Sequence, residues 1–242
     1  MPTRSASDRG QTAIVTAHLW RLSRRDIPWA LRAVARDRRR VRALPGARFV
    51  KLLGTSHGFT PFDADLRRWL LISAWPDALQ ASAFEDSVTA DGWYDRAVES
   101  WRAVLRPLSS RGRWAGREPF GTPTRHQAWA GPVAALTRAR LTPRRAVGFW
   151  RSVPAVVAAL DARPGLLASF GFGEAPLGYQ GTFSVWSEQA ALQDFAYRTP
   201  HKDAIARSAR SRWFAEELFA RFAVLDSYGT IDGCDPLNGR HL

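Results

Sequence analysis

A chain of 242 residues, 45% of them hydrophobic and eleven of them Trp, is long enough to bury a substantial core as one large domain or two small ones. Its formal charge of +13 comes almost entirely from Arg, and the basic residues lie outside any recognisable nucleic-acid-binding motif, so no nucleic-acid partner is expected. No uncharged apolar run of about eighteen residues is present, the opening MPTRSASDRGQ lacks a secretory pattern, and the lone Cys234 excludes intrachain disulfides and cysteine metal clusters, which makes the cytoplasm the expected location.

The predicted elements run as follows. A strand over 11–22, carrying His18, leads to a helix over 27–44 that contains Trp29. Strands follow over 48–53, with Lys51, and over 66–75, separated by a loop, GTSHGF, that holds His57. A helical region over 78–101 and a strand over 102–107 end this half. Residues 121–130, with His126, read as a linker, while those before Gln11 and after Leu237 read as loose tails, the latter with His241. Beyond the linker come a strand over 133–141, a helix over 144–160 that Pro154 kinks or breaks, and strands over 166–172 and 181–186. Helices within 189–219 and a strand over 222–227 complete the chain.

This is one unit written twice. Ser73 and Trp75 are followed by Phe84 at the interval at which Ser184 and Trp186 are followed by Phe195. Glu99 and Trp101 are answered by Glu217 and Phe219, and Gly116 with Pro119 by Gly233 with Pro236. Each copy reads strand, helix, strand, strand, helix, strand, the ferredoxin-like β-α-β-β-α-β unit. The expected fold is therefore α+β, with residues 11–120 and 131–237 as two tandem ferredoxin-like repeats. Each four-stranded sheet leaves one face to be covered, and the two copies can cover each other sheet to sheet as a dimeric α+β barrel made within one chain.

The copies differ where chemistry is expected. The offset between them is 111 at the Trp–Phe pair and 118 at Glu99 and Glu217, so the second copy carries extra residues there, and His201 lies among them. After a short helix closing at Tyr197, Thr199 suits an N-cap and Pro200 a first helical position, which makes His201 the second residue of a new helix. The positive end of a helix disfavours imidazolium, so this ring would offer the lone pair that a metal ligand needs. The pattern by itself fits a half-buried histidine with a hydrogen bond near a helix start better than it fits a ligand. His57 is the second candidate ligand, and His18, in an alternating strand, reads as a packed or edge residue. No histidine pair has the spacing of a zinc or non-haem iron site, and no phosphate-binding glycine loop or Gly-x-Ser-x-Gly elbow is present.

Several stretches together resemble the spheroidene monooxygenase family: Phe49-Val-Lys-Leu-Leu-Gly-Thr55, Gly58-Phe-Thr-Pro61, Glu99-Ser-Trp101, Ser110-Arg-Gly-Arg-Trp-Ala-Gly-Arg-Glu-Pro-Phe120, Gly131-Pro-Val-Ala-Ala-Leu-Thr-Arg138, Phe149-Trp150, Gly171-Phe-Gly-Glu174 and Glu217-Leu-Phe-Ala-Arg-Phe222. The likeness runs from about Thr16 to Leu237. The resemblance implies a haem-dependent monooxygenase acting on an apolar, carotenoid-like substrate, with hydroxylation leading to a ketone. It implies haem b, molecular oxygen and an external electron-donor protein as partners. It favours His201 as the iron ligand, and Lys51, Arg111, Arg113 and Arg117 become candidates for pairing with the haem carboxylates, since forked guanidinium groups suit them.

An insoluble polyene must be collected from a membrane or a carrier. The basic amphipathic helix over 27–44 is the expected site of peripheral membrane contact; a solvated outer helix is its plain alternative. Two other functions fit the same fold, namely a haem or lipophile carrier without turnover and a cofactor-free oxygenase of the antibiotic-biosynthesis kind.

Overall fold

The computed structural model describes residues 13–56, 63–121, 129–141, 160, 163–174, 179–197 and 214–238. Among them the order is β1 (Ile14–Leu22), α1 (Ile27–Arg42), β2 (Phe49–Ser56), β3 (Ala64–Trp75), α2 (Ala78–Glu85), α3 (Val88–Tyr94) and β4 (Ala97–Gly112). The second half gives β5 (Val133–Leu141), β6 (Leu166–Gly173), β7 (Tyr179–Trp186), α4 (Gln189–Tyr197) and β8 (Phe214–Gly229). Local chemistry starts the helices. Pro28 occupies the first turn of α1, where a missing N–H costs nothing. The Asp77 carboxylate accepts from the Gln80 N–H at 2.8 Å to cap α2, and the Ser87 hydroxyl accepts from the Ala90 N–H at 3.2 Å to cap α3.

The strands lie in the order β4-β1-β3-β2 in one half and β8-β5-β7-β6 in the other. The two sheets join along their edges, β4 to β8 and β2 to β6, and close an antiparallel barrel. The α+β barrel expected from the duplication is therefore what forms. Its inward faces share one core, in which Val15, Leu53, Leu70, Trp101, Phe170 and Phe222 are buried. A second core lies outside the first sheet, where Trp20, Leu52, Trp69 and Leu71 pack under α1, α2 and α3 with Phe84 and Trp93. Among the described residues no helix is long and apolar enough to cross a membrane.

Both predicted helical regions before the last strand of each half prove shorter. The helices of the first half stop at Tyr94, and β4 already begins at Ala97, so Trp101 sits in a strand and points into the barrel. Likewise β8 begins at Phe214, which puts Glu217 and Phe219 in a strand. The cause is long-range: β4 and β8 are each 16 residues long and pair with one another from Trp101–Gly229 to Gly112–Leu218. This seam decides the conformation of stretches whose local sequence is ambiguous. The predicted helix over 144–160 falls outside the described residues except for Leu160, which is helical.

The same seam shows how closely the halves repeat. Gly112 (φ +96°) and Gly229 (φ +92°) stand at its two ends, and a Cβ at either would lie 2.1 Å from the carbonyl oxygen of Glu217 or Ser100 respectively, so neither position accepts a side chain. Each is followed by a tight turn, Trp114 to Arg117 and Ile231 to Cys234. Glu216 accepts from the Ala115 and Gly116 N–H groups at 3.0 and 2.8 Å, while Glu99 accepts from the Gly233 N–H at 2.6 Å and the Thr230 hydroxyl at 2.9 Å. The partner of Glu99 in the repeat is thus Glu216, one residue before the Glu217 that sequence matching selects.

Candidate functional site

Strand pairing sorts the outward-facing residues of each sheet into rows, and the rows of the two halves can be laid side by side. In the first sheet one row reads Arg102, His18, Leu71, Leu52, and the matching row of the second reads Phe219, Thr137, Thr182, Gly171. The next row reads Val104, Thr16, Ser73, Val50 against Arg221, Ala135, Ser184, Ser169. Beyond His18, Trp20 lies opposite Trp69, where the second sheet has Ala139. Equivalent backbones therefore carry smaller side chains on the second sheet at Thr137, Thr182, Gly171 and Ala139, while its β8 positions hold the large Phe219 and Arg221. Thr137, on a strand flanked by two others, is exposed, whereas His18 in the same place is fully buried.

The outer face of the first sheet is filled by its own residues. The His18 ring stacks on Trp20 at 5.6 Å between centroids and meets the edge of Phe84 at 4.9 Å. Its Nδ1 lies 3.0 Å from the Tyr94 hydroxyl, and its Nε2 lies 3.6 Å from the Glu85 carboxylate. Burial, reinforced by the nearby Arg102 guanidinium, pushes the His18 pKa down to about 3, so the ring is neutral at any ordinary pH. Enclosed in this way, His18 has the packed role expected of it. Burial raises the Tyr94 phenol and the Glu85 carboxyl above their usual ranges.

On the second sheet the small outward residues make a floor bounded by the core of Val133, Trp186, Leu192 and Phe195 under α4. At its other edge the Arg111 guanidinium lies over the Phe219 ring, 5.3 Å from the centroid. Of the four basic residues expected to meet cofactor carboxylates, Arg111 is the one brought to this floor. Arg221, opposite Ala135 in the adjacent row, also borders it and was missed by sequence reasoning. A comparison of the outward rows of the two copies would have found it, but that requires the pairing register. His201, His57, His126 and His241 lie outside the described residues. Among the described residues no three His, Cys, Asp or Glu side chains gather to hold a metal.

Lys51 is placed elsewhere. It alternates with Phe49 and Leu53 on the inward face of β2, and its Nζ lies 2.8 Å from the Glu174 carboxylate at one end of the barrel. Glu174 also accepts from the Trp114 indole, and the buried Arg138 reaches both Glu174 and Glu216. Burial disfavours a charged Glu216, but hydrogen bonds from Gly116, Arg138 and Ala115 outweigh it and hold the carboxyl below its usual range. Arg113 and Arg117 flank the turn beside this cluster and are exposed, Arg113 with its Nε 3.9 Å from Glu118. At the opposite end Arg68 and Arg21 converge on Asp232, and Arg21 on Glu99. Lys51, Arg138, Arg68 and Arg21 are thus engaged by acids of the chain itself.

Comparison with known proteins gives three findings. Residues 121–224 match the family described as a domain of unknown function (DUF3291). Spheroidene monooxygenase of Rhodobacter capsulatus is 36% identical over 229 residues, covering 89% of this chain and 91% of that protein. The protein of the same name from Rubrivivax gelatinosus is 35% identical over 202 residues, 78% of this chain and 73% of that one. That of Cereibacter sphaeroides is 34% identical over 214 residues, but this chain spans only 65% of its length. Among solved structures, an aldoxime dehydratase in complex with butyraldoxime matches with a TM-score of 0.62 at 14% identity, over 96% of this chain and 86% of that one. A second aldoxime dehydratase matches with a TM-score of 0.58 at 12% identity, over 96% and 88% of the two chains. At such identities these two structures speak for the fold alone.

Proposed function

This chain belongs to the spheroidene monooxygenase family, and on that footing we propose that it is a haem-dependent monooxygenase oxidising an apolar, carotenoid-like molecule. The observation that carries the reading is the small-residue floor on the second sheet. Residues of the size of His18, Leu52 and Trp20, which fill the first sheet's face, would occupy this space at Thr137, Gly171 and Ala139. We take that difference as support for a flat macrocycle and an elongated apolar molecule bound against this face.

The roles of this chain's own residues follow from that placement. His201, in the second half and outside the described residues, would ligate the iron. Arg111 and Arg221, at the edge of the floor, would pair with the cofactor carboxylates and so fix its orientation. Thr137 and Thr182 would present only methyl and hydroxyl groups to whatever lies above them. Bound haem would supply the centre that activates molecular oxygen with electrons from an external donor protein. Each turnover would place one oxygen atom on the substrate and release the other as water, consuming two electrons. Two turnovers at one methylene give a gem-diol, which loses water to leave a ketone.

The test is the absorption spectrum of the purified full-length protein after supplementation with haem. A Soret band that disappears or broadens in His201→Ala supports the ligand. A variant spectrum equal to that of the parent would remove His201 from the site. No band at all would favour a cofactor-free oxygenase, and a band without oxygen-dependent turnover in the presence of reductant would favour a carrier.

A further inference from the structure

Helix α1 bears more unbalanced charge than its place in the fold requires. Ala30, Ala33, Val34, Asp37 and Val41 turn toward the sheet and are buried, so the apolar side of this amphipathic helix is already occupied inside the protein. On the opposite side Arg32, Arg36, Arg39 and Arg42 succeed one another at intervals of four, three and three residues, the spacing of one helix face, and all are exposed. Arg24 and Arg25 extend this stripe beyond the helix start. The acids of the region neutralise only part of it, Asp37 pairing with Arg36 and Asp26 lying 3.7 Å from Arg25. Asp37 is only 1% exposed, accepts from the Trp93 indole at 3.0 Å and is reached by Arg36 at 2.7 Å, while Asp26 sits in the turn before the helix.

Folding accounts for part of this charge. Arg38 is structural, since its guanidinium donates to the Leu52 carbonyl at 3.0 Å. The helix dipole favours cations in a last helical turn, which covers Arg39, Arg40 and Arg42. Arg32 lies beyond that reach, and like charges four residues apart on a helix repel. The fold thus accounts for Arg36, Arg39, Arg40 and Arg42 but not for Arg32.

We propose that this arginine face docks the protein on an anionic lipid surface. The stripe is about 15 Å long at the helical rise per residue, straight, and made of guanidinium groups that pair with phosphate. Leu31, 51% exposed beside it, is placed to dip below the headgroups. None of the stripe residues is aromatic, so the face has nothing on which nucleic-acid bases could stack. The choice of lipid also rests on the apolar substrate proposed above, which partitions into bilayers. The helix meets the membrane through its charged side, because its apolar side is buried against the sheet.

The experiment is co-sedimentation of the full chain with vesicles of phosphatidylcholine, with and without phosphatidylglycerol at about a third of the lipid. Binding is expected to the mixed vesicles only, and to fade as salt rises from about 0.1 M to about 1 M. Arg32→Gln/Arg39→Gln/Arg42→Gln is expected to lower partitioning about a hundredfold, at roughly fivefold per arginine. The corresponding triple Lys variant should retain most of it, which separates lost charge from lost folding. Equal binding by the parent and the Gln variant overturns the proposal, as does equal binding to pure phosphatidylcholine. Release from the mixed vesicles by single-stranded RNA at matched phosphate also overturns it, in favour of a nucleic-acid surface. A protein that binds these vesicles but shows no Soret band would refute the haem reading and leave this one standing.

Discussion

His18 and Thr137 hold the same position in the two halves of the barrel, each facing outward from the strand that pairs with both a neighbouring sheet strand and a long seam strand. His18 lies opposite Leu71 and is fully buried; Thr137 lies opposite Thr182 and is exposed. The backbone pairing repeats, and the contrast lies in what the side chains meet. Over His18 the first sheet carries Trp20, Phe84 and Tyr94, whereas Thr137 is exposed.

Closing the open face should therefore block it. Thr137→Trp places an indole over the floor, and the overpacking cost of about 1–3 kcal/mol would fall on any bound macrocycle, a drop in affinity of about tenfold to a hundredfold. Because Thr137 is exposed, the fold should change in stability by no more than about 0.5 kcal/mol. Haem titration followed at the Soret band, with a urea midpoint alongside, reads both. Undiminished uptake would show that the group binds elsewhere.

Arg111 and Lys51, both expected to meet cofactor carboxylates, should separate. Arg111→Gln removes an exposed charge at the floor and should weaken haem binding about fivefold, the modest effect of a solvent-screened pair, with little change in stability. Lys51→Met strips Glu174 of a partner 2.8 Å away inside the barrel and should cost about 2 kcal/mol of stability while leaving haem affinity alone. Loosened haem with unaltered stability in Lys51→Met would return that residue to the cofactor.

The buried His18 predicts a pH dependence of stability. Its pKa is lowered from 6.5 to about 3, so between those values the unfolded chain binds a proton that the native protein refuses. Stability from this group is complete above pH 6.5 and is lost as pH falls toward 3, at about 1.4 kcal/mol per pH unit. His18→Phe removes that slope but leaves the Tyr94 hydroxyl without its partner, at about 1–2 kcal/mol. The variant should thus be less stable at neutral pH and should close the gap on the parent in mild acid. Glu85, raised by burial, contributes the opposite slope in both proteins and drops out of the difference. Parallel urea midpoints across the range would contradict the assignment.

Glu99 and Glu216 are each expected to matter through a turn of the other half. Glu216→Gln weakens two backbone hydrogen bonds and the Arg138 pair, and should destabilise by about 2 kcal/mol. Glu99→Gln should act similarly through Gly233 and Thr230. Since hydrogen bonds from Gly116, Arg138 and Ala115 outweigh burial and hold the Glu216 pKa below 4.5, its contribution is present above that value and fades as pH falls through the lower native one. Denaturation of both single variants and the double variant checks this. The separate sites should add to within about 0.5 kcal/mol, and a double variant no worse than either single one would mean the clamps are not independent.

Much was legible in the chain itself. The repeat of Trp75 and Phe84 in Trp186 and Phe195, the two-residue alternation of β1 and β5, and the glycine turns at Gly116 and Gly233 determined a duplicated ferredoxin-like unit and hence a barrel. Such signals are local, and each is carried by a few adjacent residues. Tertiary structure decided the rest because it depends on pairing between distant strands. The β4–β8 seam turned Trp101 and Leu218 inward and extended two strands through stretches that read as helix. It also matched Glu99 with Glu216, and it set Arg111 beside Phe219 and the small-residue floor while leaving Lys51 inside the barrel with Glu174. A strand's sequence specifies that its side chains alternate, but only its register against partners remote in the chain specifies which residues share a row and which face is left open.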